Sequence, residues 1–320
     1  MRKNVLSIAA VIAATSMLAA PVFAGDINYQ IYGNVHLSLN FLDGESGDLA
    51  SKTSAIGIKG NKKLGDSGNT VIFKVEFQVD PTVRNTDTAL VDRDQWVGMK
   101  GAWGKLIAGT ASSNYKQLGG KVDALYRTPI EGRGFLNLQS KLHNGAGEVR
   151  GRLTNMVQYT TPKLAGSSVY AVANTTFTGD ANESYGMGLR YKTKTVMAYA
   201  DYFSAGAASM TTGGRETAVK VGGSFKGKGF QIGAQYEASE DVVGYDYMFL
   251  NGLYVINDDY IISGSIGSAS SDTLTENSSY AFALLHPFGK KTLGYIGYGM
   301  RDNEGADDFD AVAFGFRYKF

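Results

Sequence analysis

Side chains that commonly carry catalysis or bind metals are scarce in this chain of 320 residues. It has no Cys and only three His, at His36, His143 and His286. None of them is flanked by a recognisable Ser or Asp constellation, which an activated nucleophile would require. The lack of Cys also excludes disulfides, a thiol nucleophile and thiolate metal sites. The sequence therefore predicts no catalytic residue, no metal site and no cofactor.

The charged residues of one long segment offer a different kind of chemistry. From Ser112 to Arg152, seven cations stand against three carboxylates when His143 is counted as neutral. They are Lys116, Lys121, Arg127, Arg133, Lys141, Arg150 and Arg152, with Asp123, Glu131 and Glu148. Such charges would act as an electrostatic filter if they lined a narrow water-filled gap. If most of them lie on an outer surface, they are simply solvated.

The elements that would position these charges are strands with one apolar and one polar face. Near the C-terminus, Phe314, Phe316, Tyr318 and Phe320 alternate with small or basic residues. Successive side chains of a strand point to opposite faces. An aromatic face on such a strand is typical of an outer-membrane barrel, with lipid outside and water inside. Similar alternation begins near positions 71, 185, 219 and 230.

Turn-like sequences recur about every 30 residues along most of the chain, which suits hairpins of two membrane-crossing strands and an outer loop. They are Gly60–Lys63, Gly101–Gly104, Pro162–Gly166, Lys192–Lys194, Lys226–Gly229, Asn257–Asp259 and Pro287–Lys290. Seven such turns predict an all-β fold, a transmembrane antiparallel up-and-down β-barrel of about 16 strands. Since barrels of this kind keep their periplasmic turns short, we place these turns in the periplasm.

One interval between turns is longer than the others, and the excess falls at about residues 112–150. Loops of this length in a compact domain are usually functional. We expect this third extracellular loop to fold into the barrel and narrow the lumen, which sixteen strands leave too wide for side chains to fill. A surface excursion is the alternative.

Composition and the N-terminal residues also favour a protein that is exported to the outer membrane. The 31 Lys and Arg nearly balance the 30 Asp and Glu, so a nucleic-acid partner is not expected. A basic start, an apolar stretch and Val22-Phe23-Ala24 predict a signal peptide at residues 1–24 and a mature barrel at 25–320. A membrane anchor helix is the alternative reading of this stretch. No later segment supplies the ~20 apolar residues of a spanning helix.

Five segments of the chain, in this order, resemble the Gram-negative general porins over essentially the whole mature length. They are Tyr29–Gly33, Ile56–Gly60, Arg93–Gly101, Arg152–Pro162 and Phe314–Phe320. The resemblance implies a homotrimer in the outer membrane that lets small hydrophilic solutes and ions diffuse passively. It also implies contact with outer-membrane lipid and lipopolysaccharide. Tyr318 and Phe320 resemble the signal that the barrel-assembly machinery recognises.

In that family, basic wall residues face acidic residues on the inward loop. By local motif, Arg93 and Arg152 match wall arginines and Glu76 matches an inward glutamate. Lys74 shares the face of Glu76 by alternation. On the loop, the resemblance points to Glu131 and Asp123, and Arg133 is a further candidate from among the loop cations. Two wall positions that are often basic in the family carry Asn34 and Ala55 here.

The excess of cations in the loop predicts a slight anion preference or weak selectivity. A substrate-specific channel for a sugar or a small organic anion is the alternative function. An outer-membrane enzyme and a soluble secreted β protein are the other classes weighed. The scarce His argues against the enzyme, and the even hairpin spacing argues against the soluble protein.

Overall fold

The chain forms one closed antiparallel sheet. A computed structural model describes residues 27–43, 45–83, 90–146, 149–179, 182–206 and 216–320. Within them consecutive strands pair with one another except the second and third, which both pair with the first, and the last strand also pairs with the first. The predicted signal peptide lies outside the described residues. None of the described helices is long and apolar enough to span a membrane.

The described residues contain seventeen strand segments, two short α-helices and two 3₁₀ turns, at Lys141–His143 and Leu164–Gly166. The helices are α1 (Lys116–Val122) and α2 (Glu240–Val243). The strands are β1 (Asn28–Leu42), β2 (Asp48–Ser51), β3 (Ala55–Lys63), β4 (Thr70–Val79), β5 (Leu90–Gly101), β6 (Gly104–Ser112), β7 (Arg152–Thr160), β8 (Val169–Thr176), β9 (Tyr185–Lys192), β10 (Val196–Ala205), β11 (Glu216–Lys226), β12 (Phe230–Ala238), β13 (Asp246–Val255), β14 (Ile261–Ser270), β15 (Asn277–Pro287), β16 (Thr292–Asn303) and β17 (Phe309–Lys319).

Two of the segments share one position in the barrel. β2 and β3 both pair with β1, β2 with its second half and β3 with its first half. A short break at residues 52–54 separates them. The described part of the chain therefore forms a barrel of sixteen strand positions, as the turn spacing predicts.

Closure leaves this sheet without an open edge. β1 pairs with β17 from Asn34, opposite Lys319, to Leu42, opposite Ala311. Beyond that register the amide of Phe320 donates to the carbonyl oxygen of Gly33 at 3.1 Å. Unsatisfied backbone groups are too costly in a bilayer, so strands can span it only as a closed barrel.

Six of the seven predicted turns fall between strands, and the first prediction is wrong. Gly60–Lys63 belongs to β3, where Lys63 pairs with Thr70. The turn lies at residues 64–69 instead. Gly65 and Gly68 there adopt positive φ angles of 52° and 70°, which residues with a side chain rarely adopt. Because Gly65 and Gly68 can adopt these angles, the chain reverses after Lys63 and not at Gly60–Lys63.

The outer surface of the barrel is apolar, as the alternation predicts. On β17, Phe314, Phe316 and Tyr318 are 42–52 % exposed, whereas Ala311 and Ala313 on the other face are at most 1 % exposed. Exposed large apolar residues on this scale are typical of a surface covered by lipid or by another subunit. The alternation therefore separates a lipid-facing surface from the interior.

The interior holds an apolar core between the long loop and the wall. Five loop side chains there are fully buried: Val122, Leu125, Ile130, Leu136 and Leu138. The wall opposite them offers mainly small or aromatic residues, which are Tyr199, Phe249, Ala281, Ala283, Tyr295, Ala311 and Ala313. The loop therefore folds into the barrel, and this half of the interior is packed rather than filled with water.

The two faces predict opposite responses to an added charge. Leu250→Arg, on the lipid-facing side of β13, should lower the free energy of unfolding by ~2–4 kcal/mol if the side chain sits at mid-bilayer depth. Gln231→Arg, on the lumen-facing side of β12, should change it little. Urea titration of both variants in detergent or lipid checks this. Equal losses in the two variants would contradict the assigned faces.

Candidate pore constriction

An irregularity in the sheet turns two successive charged residues into the lumen. Val75 on β4 pairs with Gln95 on β5, but Phe77 pairs with Asp92. One residue, Glu76, therefore faces two, Arg93 and Asp94. Such a β-bulge bends the strand and re-aims side chains, and it is common near functional sites.

These residues join an ion-pair chain along the wall. The Arg93 guanidinium donates from Nε to Glu76 Oε1 at 2.6 Å, and Lys74 Nζ lies 3.2 Å from the other oxygen of Glu76. Lys74 also contacts Asp94 at 2.7 Å, and Arg152 Nε donates to Asp94 at 2.9 Å. Each of the five side chains is at most 20 % exposed. The wall charges thus alternate in sign and largely neutralise one another.

Four residues predicted from sequence meet in this chain, namely Lys74, Glu76, Arg93 and Arg152. Asp94 was missed because strict alternation puts it on the face opposite Arg93. Nothing in a single sequence marks the bulge that brings both inward. Tyr32 was also missed, although its hydroxyl donates to Glu76 Oε2 at 2.7 Å.

On the loop, Glu131 and Arg133 bind each other rather than opposing the wall. Arg133 Nε donates to Glu131 Oε1 at 2.7 Å, and the amide of Arg127 donates to the other oxygen of Glu131 at 2.6 Å. Arg133 also reaches the carbonyl oxygen of His143 at 3.0 Å. Glu131 therefore holds the loop together, and its charge is largely offset by Arg133.

Asp123 was predicted to face the lumen, but it lies inside the loop. Its side chain is 5 % exposed. Its two oxygens accept from the amides of Leu125, at 2.8 Å, and Gly132, at 3.0 Å. Burial raises the pKa of Asp123 to about 7, although the two amides act in the opposite direction. This carboxylate therefore connects two parts of the loop through hydrogen bonds to the amides of Leu125 and Gly132.

A second, fully buried network anchors the loop to the opposite wall. Glu237 on β12 accepts from the hydroxyl of Tyr115 at 3.0 Å and from that of Ser140 at 2.6 Å. His143 Nε2 lies 3.0 Å from the same carboxylate. Burial lowers the pKa of His143 to about 4, so its ring is neutral near pH 7. Glu237 thus serves loop packing instead of lining the pore.

Three further buried charges belong to this network. Lys220 Nζ donates to the carbonyl oxygen of Tyr115, and Arg190 pairs with Asp201 at 2.6 Å. Arg190 also donates to the carbonyl oxygen of Asn114 at 2.9 Å. Removing one partner of a buried ion pair commonly costs about 3–5 kcal/mol. These inward charges therefore hold the loop in place.

A second bulge explains why the strand carrying Arg152 departs from its predicted pattern. Alternation places Leu153 on the lipid-facing side, but Leu153 is fully buried against Tyr115, Leu142 and Met156. Gly109 pairs with Met156 and Ala111 with Leu153, so the register shifts between them. The shift turns Leu153 inward beneath the loop.

Between the loop and the ion-pair wall lie two adjoining cavities of about 220 and 300 Å³. Both are lined by Arg93, Lys116, Tyr126, Arg127 and Arg152. Arg133 adds to the first cavity, and Lys74 and Lys121 add to the second.

Acidic residues are few around these cavities. Asp92 lines the first, and its carboxylate already accepts from Gln95 at 2.9 Å. Glu76 and Asp94 line the second. The lumen is therefore bordered by an excess of cations supplied by both the wall and the loop. Within the described residues, no three His, Asp or Glu side chains form a group that could hold a metal ion.

The wall chain predicts a specific effect of removing one carboxylate. Asp94→Asn leaves Arg152 without its charged acceptor and Lys74 with Glu76 alone, so the ratio of chloride to potassium permeability should rise. Loss of the charged acceptor should also lower stability by about 1–3 kcal/mol. Asp66→Asn is the matched control, because Asp66 is exposed on the turn between β3 and β4 and lines neither cavity. Reversal potentials of both variants check this, and an equal change in both would contradict it.

Comparisons with known proteins point in the same direction as the geometry. A family model described as Gram-negative porin matches residues 7–306. The major outer membrane protein P.IB of Neisseria meningitidis serogroup B is 26 % identical over 283 residues, 85 % of this chain and 73 % of that protein. P.IB of Neisseria gonorrhoeae is 29 % identical over 192 residues, 56 % of this chain and 52 % of that protein.

Solved porins share the fold at low sequence identity. An anion-selective porin from Comamonas acidovorans superposes with a TM-score of 0.77 at 15 % identity, over 92 % of this chain and all of that one. OmpT of Vibrio cholerae, in its trimer form, gives a TM-score of 0.68 at 16 % identity, again over 92 % of this chain and all of that one. The match over most of the sequence and the closed barrel show that the chain belongs to the Gram-negative porin family, as an outer-membrane channel for passive diffusion.

Proposed function

We propose that the channel prefers small anions, and that the gap between the loop and the ion-pair wall is its constriction. The observation that carries this proposal is the excess of cationic side chains around the two adjoining cavities. Lys74, Glu76, Arg93 and Arg152 supply the wall of the constriction, with Asp94. The loop side is supplied by Arg133, which is paired with Glu131, and by Arg127.

Arg127 lines both cavities and adds an unpaired charge to the imbalance. Among the described ion pairs, none joins its guanidinium to a carboxylate, and its buried Nε has no hydrogen-bond partner. Its backbone has a φ of 73°, a region that residues with a side chain seldom adopt. The strained loop therefore presents an uncompensated cation to the gap. Fixed charges act over only ~8 Å at physiological salt, so their influence is concentrated where the lumen is narrow.

The geometry alters the mechanism that the family resemblance suggests. Wall cations do not face free loop carboxylates across the gap, because Glu131 is paired with Arg133 and Asp123 is buried in the loop. Anions instead meet cations from both sides, and the carboxylates of the wall reduce how tightly any anion is held. Weak binding of this kind favours conduction over capture.

A channel with a saturable site for a sugar or a small organic anion is the alternative. Tyr126 favours it, because its ring lines both cavities and lies 4.7 Å from Arg133 and 5.5 Å from Arg127. A planar carboxylate could meet the ring and a guanidinium together. Conductance that saturates with rising concentration of one solute would support this alternative.

The proposal extends to assembly and surroundings. We propose a homotrimer in contact with outer-membrane lipid and lipopolysaccharide, a signal peptide at residues 1–24, and no catalytic role. Tyr318 and Phe320 are proposed as the signal for the barrel-assembly machinery. Their exposure of 46 % and 42 % on the outer surface supports this proposal, since a recognition signal must be accessible.

Selectivity in a planar bilayer tests the anion preference. Under a potassium chloride gradient, the reversal potential of the wild-type channel should lie between zero and the equilibrium potential of chloride. Arg127→Gln should lower the ratio of chloride to potassium permeability by about twofold, since one charge in a narrow gap is weakly screened. Lys141→Gln, at an exposed loop position outside both cavities, is the matched control and should change it little. Cation selectivity of the wild-type channel would refute the proposal.

A further inference from the structure

Lysines lie side by side on the wall at the periplasmic mouth, the end of the barrel that carries the short turns. Lys63 pairs with Thr70, Thr70 pairs with Lys100, and Lys100 pairs with Lys105. Residues directly opposite on neighbouring antiparallel strands point to the same face of a sheet. The three lysines and Thr70 therefore form one row across β3, β4, β5 and β6.

This row faces the lumen. Leu106, next to Lys105, is 42 % exposed on the outer surface, whereas Ile107 is 4 % exposed and packs in the interior core. Lys105 lies on the same side of β6 as Ile107, because both positions have the same parity. Its partner Lys100 and the rest of the row therefore border the periplasmic mouth of the pore.

The row is electrostatically unfavourable for the barrel itself. Lys100 and Lys105 are direct cross-strand partners, and like charges in that position are destabilising. None of the described ion pairs involves a lysine of the row. Mobile anions are the remaining source of compensation, and they must come from the solution in the pore.

Other cations extend the basic surface around the same mouth. Lys192 follows the inward Arg190 by two residues, and Lys319 follows Arg317, which alternates with the outward Phe316. A further cation on a lumen-facing position here is Lys226, which pairs with the inward Gln231. The acidic residues described at this end lie on turns rather than on the lumen-facing register, and they are Asp66, Asp258 and Asp259.

The extracellular mouth has the opposite charge. Asp48 pairs with the inward Asn40, and Glu216 pairs with the inward Ala205, so both carboxylates face the lumen. The described outer loops and strand ends add Asp43, Glu45, Glu183, Glu240, Asp241, Asp272, Glu276, Glu304, Asp307 and Asp308. Outside the long third loop at about residues 112–150, the cations described at this end are Lys52 and Arg301.

We propose that this axial separation of charge makes the pore rectify ionic current, with the lysine-lined periplasmic mouth as an anion-collecting zone distinct from the constriction. Cations concentrate at the acidic mouth and anions at the basic mouth. A voltage that is positive on the extracellular side drives both kinds of ion inward, so the pore fills with carriers. The reverse voltage draws both kinds out and depletes the pore. The channel remains passive, because the asymmetry affects current under a voltage and not the equilibrium distribution of solutes.

The test is the current–voltage relation of single channels in equal potassium chloride on both sides. In 0.1 M salt, the current at +100 mV on the extracellular side should exceed that at −100 mV by about 1.5-fold, since the Debye length there is ~10 Å. In 1 M salt the ratio should fall towards one, because the Debye length shrinks to ~3 Å. Orientation can be fixed by Thr273→Cys, biotinylated in this cysteine-free chain and bound by streptavidin from one chamber.

Two sets of substitutions separate the lumen-facing lysines from lysines at the same end of the barrel. The test set is Lys63→Gln, Lys100→Gln, Lys105→Gln and Lys192→Gln. The control set on the turns is Lys163→Gln, Lys194→Gln, Lys228→Gln and Lys290→Gln. The test set should abolish most of the rectification, and the control set should leave most of it.

Three results would overturn the proposal: a symmetric wild-type current in 0.1 M salt, a larger current at the opposite polarity, or an equal effect of the two sets. The wild-type measurements need no variant, so the proposal stays testable if a substituted barrel folds poorly. A reversal potential reports the anion preference separately, so failure of one proposal is distinguishable from failure of the other.

Discussion

The structure depends on the packing of one loop against one half of the inner wall. Five fully buried apolar side chains of the loop meet a wall of small and aromatic residues. Each such side chain contributes about 1.5–3 kcal/mol when it leaves water. Wall glycines make the contact possible, because a Cβ on Gly299 would lie 3.0 Å from Cγ2 of Ile130. The buried network around Glu237 fixes the loop at a second point. In the described part of the chain, these contacts leave the two cavities on the side of β4, β5 and β7.

This division of the interior also sorts its charges. Four inward charges on β9 to β12 are buried beneath the loop and serve its attachment, namely Arg190, Asp201, Lys220 and Glu237. Five inward charges on β4, β5 and β7 border the gap and form a chain of alternating sign, namely Lys74, Glu76, Arg93, Asp94 and Arg152. The loop then adds cations to that wall. Position relative to the loop, rather than the inward direction alone, decides whether a charge stabilises the fold or meets permeating ions.

Much of the barrel could be predicted from the sequence, because alternation and turn residues are local signals. The strand faces at β17, six turns and the inward loop all followed from these signals.

The site was less predictable, because it depends on irregularities with no local signature. Two bulges reorient Asp94 and Leu153, and burial beneath the loop removes Arg190 and Glu237 from the lumen. The pairing of Glu131 with Arg133 and the burial of Asp123 follow from loop geometry, which residue types alone do not specify. The row from Lys63 to Lys105 required the register of four strands.

A disulfide between the loop and the wall tests the central contact most directly. A Cβ on Gly299 would lie 3.3 Å from Cβ of Ile130, just below the ~3.5–4.5 Å found in disulfides, so a small shift of the loop brings the pair into range. Ile130→Cys combined with Gly299→Cys, in a chain without other cysteines, should oxidise readily to a cross-linked barrel. Its single-channel conductance should match that of the reduced protein, because the loop already occupies this position. Failure to form the bond in the folded barrel, or a pore that closes or widens on oxidation, would contradict the account.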